Sequence, residues 1–352
     1  MRVLIATDAW RPQVNGVVRS LEYMAELAPQ FGAEVMFLTP QHFRSFPMPT
    51  YPEIRLSASL PRHVRRLIER ADATHLHIAT EGPIGLAARH VCLTEGRPFT
   101  TSYHTRFPEY LSARLPISPE LTYGLLRRFH NSGRAVMVST PSMETELASR
   151  GFNNIMRWTR GVDTALFRPS PERRIDASRP VFLFVGRVAV EKNIEAFLSL
   201  DLPGSKLVVG DGPARAILEQ RYPEARFLGV QSGEALARIY AGADVFVFPS
   251  LTDTFGIVLL EALASGLPIA AFPVTGPADV VGSSGCGILS NDLRQAALAA
   301  LEIPRERCRL YGESFTWAES ARQFFANIQA ACDGAAFTSE TRGGPVSSLS
   351  AA

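Results

Sequence analysis

Lysine is all but missing from this chain of 352 residues: Lys192 and Lys206 stand against 34 arginines. Where arginine supplies nearly every cation, a retained lysine suggests a place that needs a compact, strongly hydrated point charge. Metal-binding patterns are missing as well. No Asp-x-Asp occurs and no pair of His or Cys has ligand spacing, so neither a metal nor another cofactor is expected. The four cysteines, Cys92, Cys286, Cys308 and Cys332, lack disulfide-like spacing and fit a reducing cytoplasm. No run approaches the roughly 18 apolar residues of a membrane span, and Met1 to Ala6 leads directly into a strand rather than a signal peptide.

Net charge is also small, at +2, but it hides an asymmetry. Residues 1–165 carry 19 Arg and no Lys against 14 acids, hence +5; the remainder carries 17 cations against 20 acids, hence −3. No nucleic-acid partner is expected. Within the basic half, Pro61 to Arg70 places Arg62, Arg66 and Arg70 at helical spacing, with Arg65 beside them and Val64, Leu67 and Ile68 opposite. A second such segment, Tyr123 to Arg134, sets Arg127 and Arg128 beside Leu125, Leu126 and Phe129. Basic amphipathic helices dock on anionic membranes, and they also serve as ordinary solvated faces.

The length exceeds one ordinary core and fits two domains. Short apolar segments alternate with helical ones twice over. In the first half the expected strands are Val3 to Ala6, Val35 to Leu38, Ile54 to Leu56, Leu76 to Ile78, Phe99 to Ser102, Val136 to Ser139 and Ile155 to Trp158. In the second they are Val181 to Val185, Lys206 to Val209, Arg226 to Leu228, Val245 to Phe248, Ile269 to Ala271 and Gly287 to Leu289. This pattern predicts an α/β chain with two Rossmann-like domains built on parallel sheets. We expect domains over 1–166 and 180–316, a Pro- and charge-rich linker over 167–179, an amphipathic helix over 317–332 and a disordered tail over 333–352.

The most informative stretch is Pro249 to Gly266, PSLTDTFGIVLLEALASG. It predicts a strand end followed by a helix that is apolar nearly all round and therefore buried. Glu261 is its exception, and a buried carboxylate needs a partner, which a polar ligand can supply. The helix start at Thr254, Phe255, Gly256 and Ile257 offers unpaired N–H groups and the positive dipole end to an anion. The same residues also fit a plain cap at Asp253 or Thr254, with Glu261 in solvent.

In open α/β sheets ligands bind beyond the carboxyl ends of the strands, which directs attention to the loops there. After the first strand, Gly16 can turn the chain and present N–H groups to a phosphate, or simply join strand to helix. Glu81, in the loop after Ile78, either touches an acceptor or caps a helix. His104 follows a strand end within Tyr-His-Thr; such a residue is either a cleft group or a structural hydrogen-bonding one. Gly186 and Arg187 close another strand, and Lys192 comes five residues later at the expected start of a helix, so two cations flank a backbone turn in a way that suits a diphosphate. Gly210 and Gly212 form a partial glycine-rich turn, and Gly229 lies beyond the next strand.

These motifs, in this order and spacing, resemble glycosyltransferase family 4 over roughly residues 1 to 332. The segments that carry the resemblance are Gly186-Arg187 to Lys192, Asp253 to Glu261 with Phe-Gly between, and Tyr-His-Thr around His104. Asp253 stands where many members have Glu. The resemblance implies a GT-B fold, retaining transfer from a nucleotide sugar, and a final helix that crosses back to the first domain. It implies that Glu261 holds the ribose, and that Asp253 with the N–H groups of Thr254 to Ile257 holds sugar and diphosphate. Arg187 and Lys192 would meet the leaving group, while His104 orients the sugar and turns its backbone carbonyl toward the anomeric carbon. Gly16, Gly186, Gly210, Gly212 and Gly229 would border the donor.

We therefore expect a hexose or hexuronosyl unit to move from a UDP- or GDP-sugar to a membrane lipid such as diacylglycerol. The enzyme would work in the cytoplasm at the inner leaflet of the membrane, with Glu81, Arg62, Arg65, Arg66, Arg70, Arg127 and Arg128 toward acceptor or membrane. The alternatives are a saccharide acceptor in polysaccharide or lipopolysaccharide assembly and, from another class, a non-catalytic nucleotide-sugar-binding protein.

Overall fold

A computed structural model describes residues 1–13, 15–48, 51–112, 118–170, 172 and 175–333. The tail expected to be disordered lies outside these residues from position 334, as do positions 171, 173 and 174 of the linker.

The first half holds strands β1 (Arg2–Ala6), β2 (Glu34–Leu38), β3 (Ser45–Met48), β4 (Tyr51–Ser57), β5 (His75–Ile78), β6 (Thr100–Ser102), β7 (Ala135–Val138) and β8 (Ile155–Arg157). Its helices are α1 (Gly16–Leu27), α2 (Pro61–Ala71), α3 (Pro83–Glu95), α4 (Phe107–Ser112), α5 (Pro119–His130) and α6 (Pro141–Ser149). The second half holds β9 (Val181–Val185), β10 (Ser205–Val209), β11 (Ala225–Phe227), β12 (Val245–Phe248), β13 (Ile269–Ala271) and β14 (Gly287–Leu289). Its helices are α7 (Glu195–Leu198), α8 (Arg215–Arg221), α9 (Gly233–Gly242), α10 (Ile257–Ala264), α11 (Pro277–Val280), α12 (Leu293–Ala299), α13 (Arg305–Glu313) and α14 (Trp317–Cys332).

Two six-stranded parallel sheets result, ordered β2-β1-β5-β6-β7-β8 and β11-β10-β9-β12-β13-β14. Strands such as Val181–Val185 and Val245–Phe248 are buried at every position, as sheets covered on both faces require. The strand order reverses between β1 and β5 in one sheet and between β9 and β12 in the other. Crevices open at these switch points, and the loops carrying Gly16, Glu81, Arg187, Lys192 and Asp253 follow those four strands.

Three expectations are corrected. Ile54 to Leu56 lies in β4, which pairs antiparallel with β3 in a separate hairpin rather than joining the parallel sheet. An isolated short apolar triplet does not reveal its partner, and β3 carries a proline at 47 that masks it as a strand. The helix expected over Tyr123 to Arg134 runs instead from Pro119 to His130, because Pro119 supplies a favourable first position and a turn at Asn131 to Gly133 ends it. Lys192 does not open a helix; it ends a 3-10 turn, Val190–Lys192, and Asn193 follows in the left-handed region. Where the linker is described, Phe167, Ile175 and Ala177 pack on the second core.

Helix α14 crosses to the first sheet and buries Phe324, Phe325 and Ile328 with Val3, Ile5, Leu21 and Trp158. The outgoing and returning chains touch at the crossover, where Val162 N–H donates to the carbonyl of Phe315 at 3.0 Å. A Cβ on Gly161 would stand 2.3 Å from the backbone nitrogen of Trp317, so only glycine admits this approach.

Candidate active site

On the second domain, the loops after β9, β10 and β11 are sewn together by backbone hydrogen bonds. Gly186 N–H donates to Val209 O at 2.9 Å, Val188 N–H to Asp211 O at 2.9 Å, and Gly210 N–H to Gly229 O at 2.8 Å. A Cβ on Gly210 would lie 1.9 Å from Gly186 O, and one on Gly212 would lie 2.4 Å from Val188 O. The four glycines thus let three strand ends form one shelf. Arg187 is half-buried at its rim.

Beside the shelf, Lys192 Nζ donates to Asp253 Oδ1 at 2.5 Å. Burial alone depresses the Lys192 ammonium, but the Asp253 carboxylate, with Tyr110 and Glu191, more than reverses this and raises its pKa, so it stays charged. The other carboxylate oxygen of Asp253 is buried without a partner among the described residues. Gly256, at φ +83°, caps α10 in place of Asp253 or Thr254, and the turn it makes exposes the helix start to the cleft.

The first domain faces this arrangement closely. Thr254 Oγ1 donates to the backbone carbonyl of His104 at 2.8 Å, and Ser139 Oγ donates to the carbonyl of Thr254 at 3.1 Å. Ser142 donates through both N–H and Oγ to Asp279 Oδ1 at 3.2 and 2.8 Å. Tyr110 of α4 lies beside Thr252, Lys192 and Asp253. Burial, then the nearby Arg160, His77 and His130, hold the His104 imidazole well below its usual pKa, so it is neutral. Its Nε2 is buried with no partner among the described residues.

Glu261 is 1% exposed and is therefore not the solvated residue of the simpler reading. Tyr240 donates to its Oε2 at 3.0 Å, and Arg19 of α1 pairs with Oε1 from across the cleft. Glu261 and Arg19 border a cavity of about 110 Å³ with Tyr23, Asp163, Ile257 and Trp317.

Two alternatives that the sequence leaves open are narrowed. The N–H groups of Val17 and Val18, which follow Gly16 at the helix start, are both taken by Asn15 Oδ1 at 3.0 Å, as in a plain strand-to-helix turn. Gly16 instead permits close approach, since a Cβ there would meet Ile257 Cδ1 at 3.2 Å. Glu81 does not cap α3. Asp8 does so, accepting from Ile84 N–H at 2.8 Å and Gly85 N–H at 3.3 Å, while Glu81 Oε1 pairs with His130 Nε2 at 3.0 Å. Arg62, Arg65, Arg66 and Arg70 on α2, and Arg127 and Arg128 on α5, are exposed and distant in sequence from the cleft groups; Arg65 is paired with Glu95 at 2.7 Å.

Sequence reasoning missed Arg19, Tyr110, Ser139, Arg160 and Tyr240. Arg160 had a usable signal: it lies three residues beyond the end of β8 and precedes Gly161. Arg19 and Tyr240 lie inside helices, and nothing local marks them. Among the described residues no group of three or more His, Cys, Asp or Glu could hold a metal ion.

A family model described as Glycosyltransferase Family 4 matches residues 14–166, and one described as Glycosyl transferases group 1 matches residues 179–303. A GDP-mannose-dependent alpha-mannosyltransferase of Mycobacterium tuberculosis is 31% identical over 82% of this chain and 83% of its own. An alpha-monoglucosyldiacylglycerol synthase of Streptococcus pneumoniae is 26% identical over 77% of this chain and 71% of its own. A solved sucrose-phosphate synthase from Thermosynechococcus elongatus superposes with a TM-score of 0.77 at 20% identity, covering 94% of this chain and 99% of its own. That likeness shows the fold, which is GT-B.

Proposed function

This chain belongs to glycosyltransferase family 4, and from that premise we propose that it transfers a hexose or hexuronosyl unit, with retention, from a UDP- or GDP-sugar to a membrane lipid such as diacylglycerol. One observation carries the reading: Lys192, Asp253, Thr254 and His104 converge where the carboxyl ends of the two sheets meet, and two of their buried polar atoms have no partner among the described residues.

The donor lies on the glycine shelf, with its diphosphate toward Arg187, Lys192 and the start of α10 and its ribose hydroxyls on Glu261. As the bond from the anomeric carbon to the phosphate oxygen breaks, negative charge grows on the diphosphate and these cations and N–H groups stabilise it. The acceptor hydroxyl attacks from the same face, and the departing phosphate oxygen takes its proton. Asp253 Oδ2 accepts from a sugar hydroxyl, and closure of the domains keeps out water that would hydrolyse the donor. We assign the leaving-group charge to protein groups rather than to a metal, and transfer should persist in excess EDTA.

The test is thermal-shift binding of UDP and of GDP, in EDTA, to wild type and Glu261→Gln. A rise of several degrees with one nucleotide, lost in the variant, is expected and identifies the donor base. No rise with either, followed by no transfer from UDP- or GDP-sugars to diacylglycerol, would overturn the reading.

A lipid acceptor is supported by the outer face of α5, where Leu121 and Leu125 are each 64% exposed beside exposed Arg128. Leu86 and Leu93 of neighbouring α3 are exposed too, and α2 adds its arginines. We place this face on the anionic inner leaflet as a peripheral contact. The double variant Leu121→Asp/Leu125→Asp should lower co-sedimentation with phosphatidylglycerol-containing vesicles at least about tenfold, since each leucine contributes about 1.5–3 kcal/mol when fully buried. Unchanged sedimentation would remove α5 from the membrane contact.

A further inference from the structure

Arg160 is a cation in a place where a cation is costly. It is 4% exposed, and among the described residues no carboxylate pairs with it. Its Nη1 donates to the backbone carbonyls of Trp158 and Thr159 at 2.6 and 3.0 Å, its guanidinium lies 4.1 Å from the centre of the Trp158 ring, and its Nη2 faces His104 Nδ1 at 3.1 Å. Burial lowers its pKa to about 9, which still leaves it protonated at neutral pH.

That last contact fixes the proton on the histidine. A guanidinium has donors and no acceptor, so the ring nitrogen opposite it must accept. The neutral imidazole carries one N–H, and with Nδ1 accepting, that hydrogen sits on Nε2. Nε2 is the buried ring atom without a partner among the described residues. The charged and titratable groups acting on His104 are Arg160 from the loop after β8, His77 from β5 and His130 from α5; all disfavour an imidazolium.

We propose that Arg160 is a positioning residue that holds His104 as its Nε2–H tautomer and thereby makes it a hydrogen-bond donor to the transferred sugar, not a base. The consequence for transfer rests on the glycosyltransferase reading; the tautomer itself does not.

The loop holding Arg160 is anchored from the other end of the chain. Trp158 Nε1–H donates to Ser320 Oγ at 3.1 Å, Ser320 Oγ donates to Thr159 O at 2.8 Å, and Thr159 N–H donates to Gln323 Oε1 at 2.9 Å. Helix α14 therefore grips both residues whose carbonyls hold the guanidinium. The crossing helix reaches the active-site histidine through one arginine.

The test is nitrogen NMR of [15N]histidine-labelled full-length protein without ligand, with His104 assigned from the signals lost in His104→Gln. Wild type is expected to show a protonated Nε2 and an unprotonated, accepting Nδ1. Arg160→Met should lose that single-tautomer signature, and Arg160→Gln, whose amide still donates to Nδ1, should restore it. In transfer assays Arg160→Met should lower kcat about tenfold with a smaller change in donor KM, and Arg160→Gln should recover most of it. An Nδ1–H form in wild type, or an unchanged Nε2–H signature in Arg160→Met, would overturn the proposal. Should Arg160→Met fail to fold, the wild-type tautomer and Arg160→Gln still decide. A correct tautomer in a protein that transfers no sugar would refute the enzymatic reading alone.

Discussion

Lys192→Ala is expected to slow sugar transfer about 10²- to 10³-fold while the protein stays folded. The size follows from where the charge acts. The ammonium is paired with Asp253, so it is already desolvated and oriented before a diphosphate arrives. A preorganised cation loses little on reorganising when the leaving group becomes charged, and its worth is largest there. The fold survives because Lys192 ends a short 3-10 turn and contributes nothing to the apolar cores. Asp253 loses its partner but keeps 15% of its side-chain surface in water, and the adjacent start of α10 supplies positive potential. Lys192→Arg should recover only part of the rate, since a planar fork does not reproduce a point charge at that position. Single-turnover rates with the preferred UDP- or GDP-sugar, alongside melting temperature, make the measurement. A variant that transfers within about threefold of wild type would show that Lys192 does not meet the leaving group.

Lys192 also illustrates what the sequence could tell and why. Its rarity, its distance from Arg187 and the strand before it are all local, and local signals place a residue in a loop beyond a strand end. The strand runs were legible for the same reason, because a segment such as Val181 to Val185 is apolar throughout and bounded by turn residues. Glu261 was legible as an anomaly in an apolar helix. Its partners were not, since Tyr240 lies 21 residues away and Arg19 lies 242 residues away on another domain. The hairpin β3–β4 failed for a related reason: pairing is a long-range property, and Pro47 hid one of its strands. The sequence left Glu81 between acceptor contact and cap, and Gly16 between anion site and plain turn; in the structure Asp8 takes the cap and Asn15 takes the N–H groups that follow Gly16. Neighbours with equivalent hydrogen-bonding chemistry compete for a cap, and the winner depends on backbone geometry that no pattern records.

Removing Arg19 should reveal what its pairing with Glu261 does. The carboxylate is almost wholly buried, and in Arg19→Met it would keep only the Tyr240 hydroxyl. Breaking a fully buried pair costs about 3–5 kcal/mol. Arg19 retains 30% of its side-chain surface in solvent, so a loss of about 2–3 kcal/mol is expected here, read as a melting temperature lower by several degrees. Glu261→Gln should relieve most of that loss in the double variant Arg19→Met/Glu261→Gln, because a neutral amide needs no counter-charge. Nucleotide should act in the opposite sense. If ribose hydroxyls bind Glu261, they compete with Arg19 in wild type and meet an unpaired carboxylate in Arg19→Met. The thermal shift given by the preferred nucleotide is then larger in Arg19→Met than in wild type, and it is lost in the single and double variants that carry Glu261→Gln. Equal shifts in wild type and Arg19→Met would mean that the nucleotide leaves the Arg19–Glu261 pair intact, and the ribose would have to be held elsewhere on the shelf.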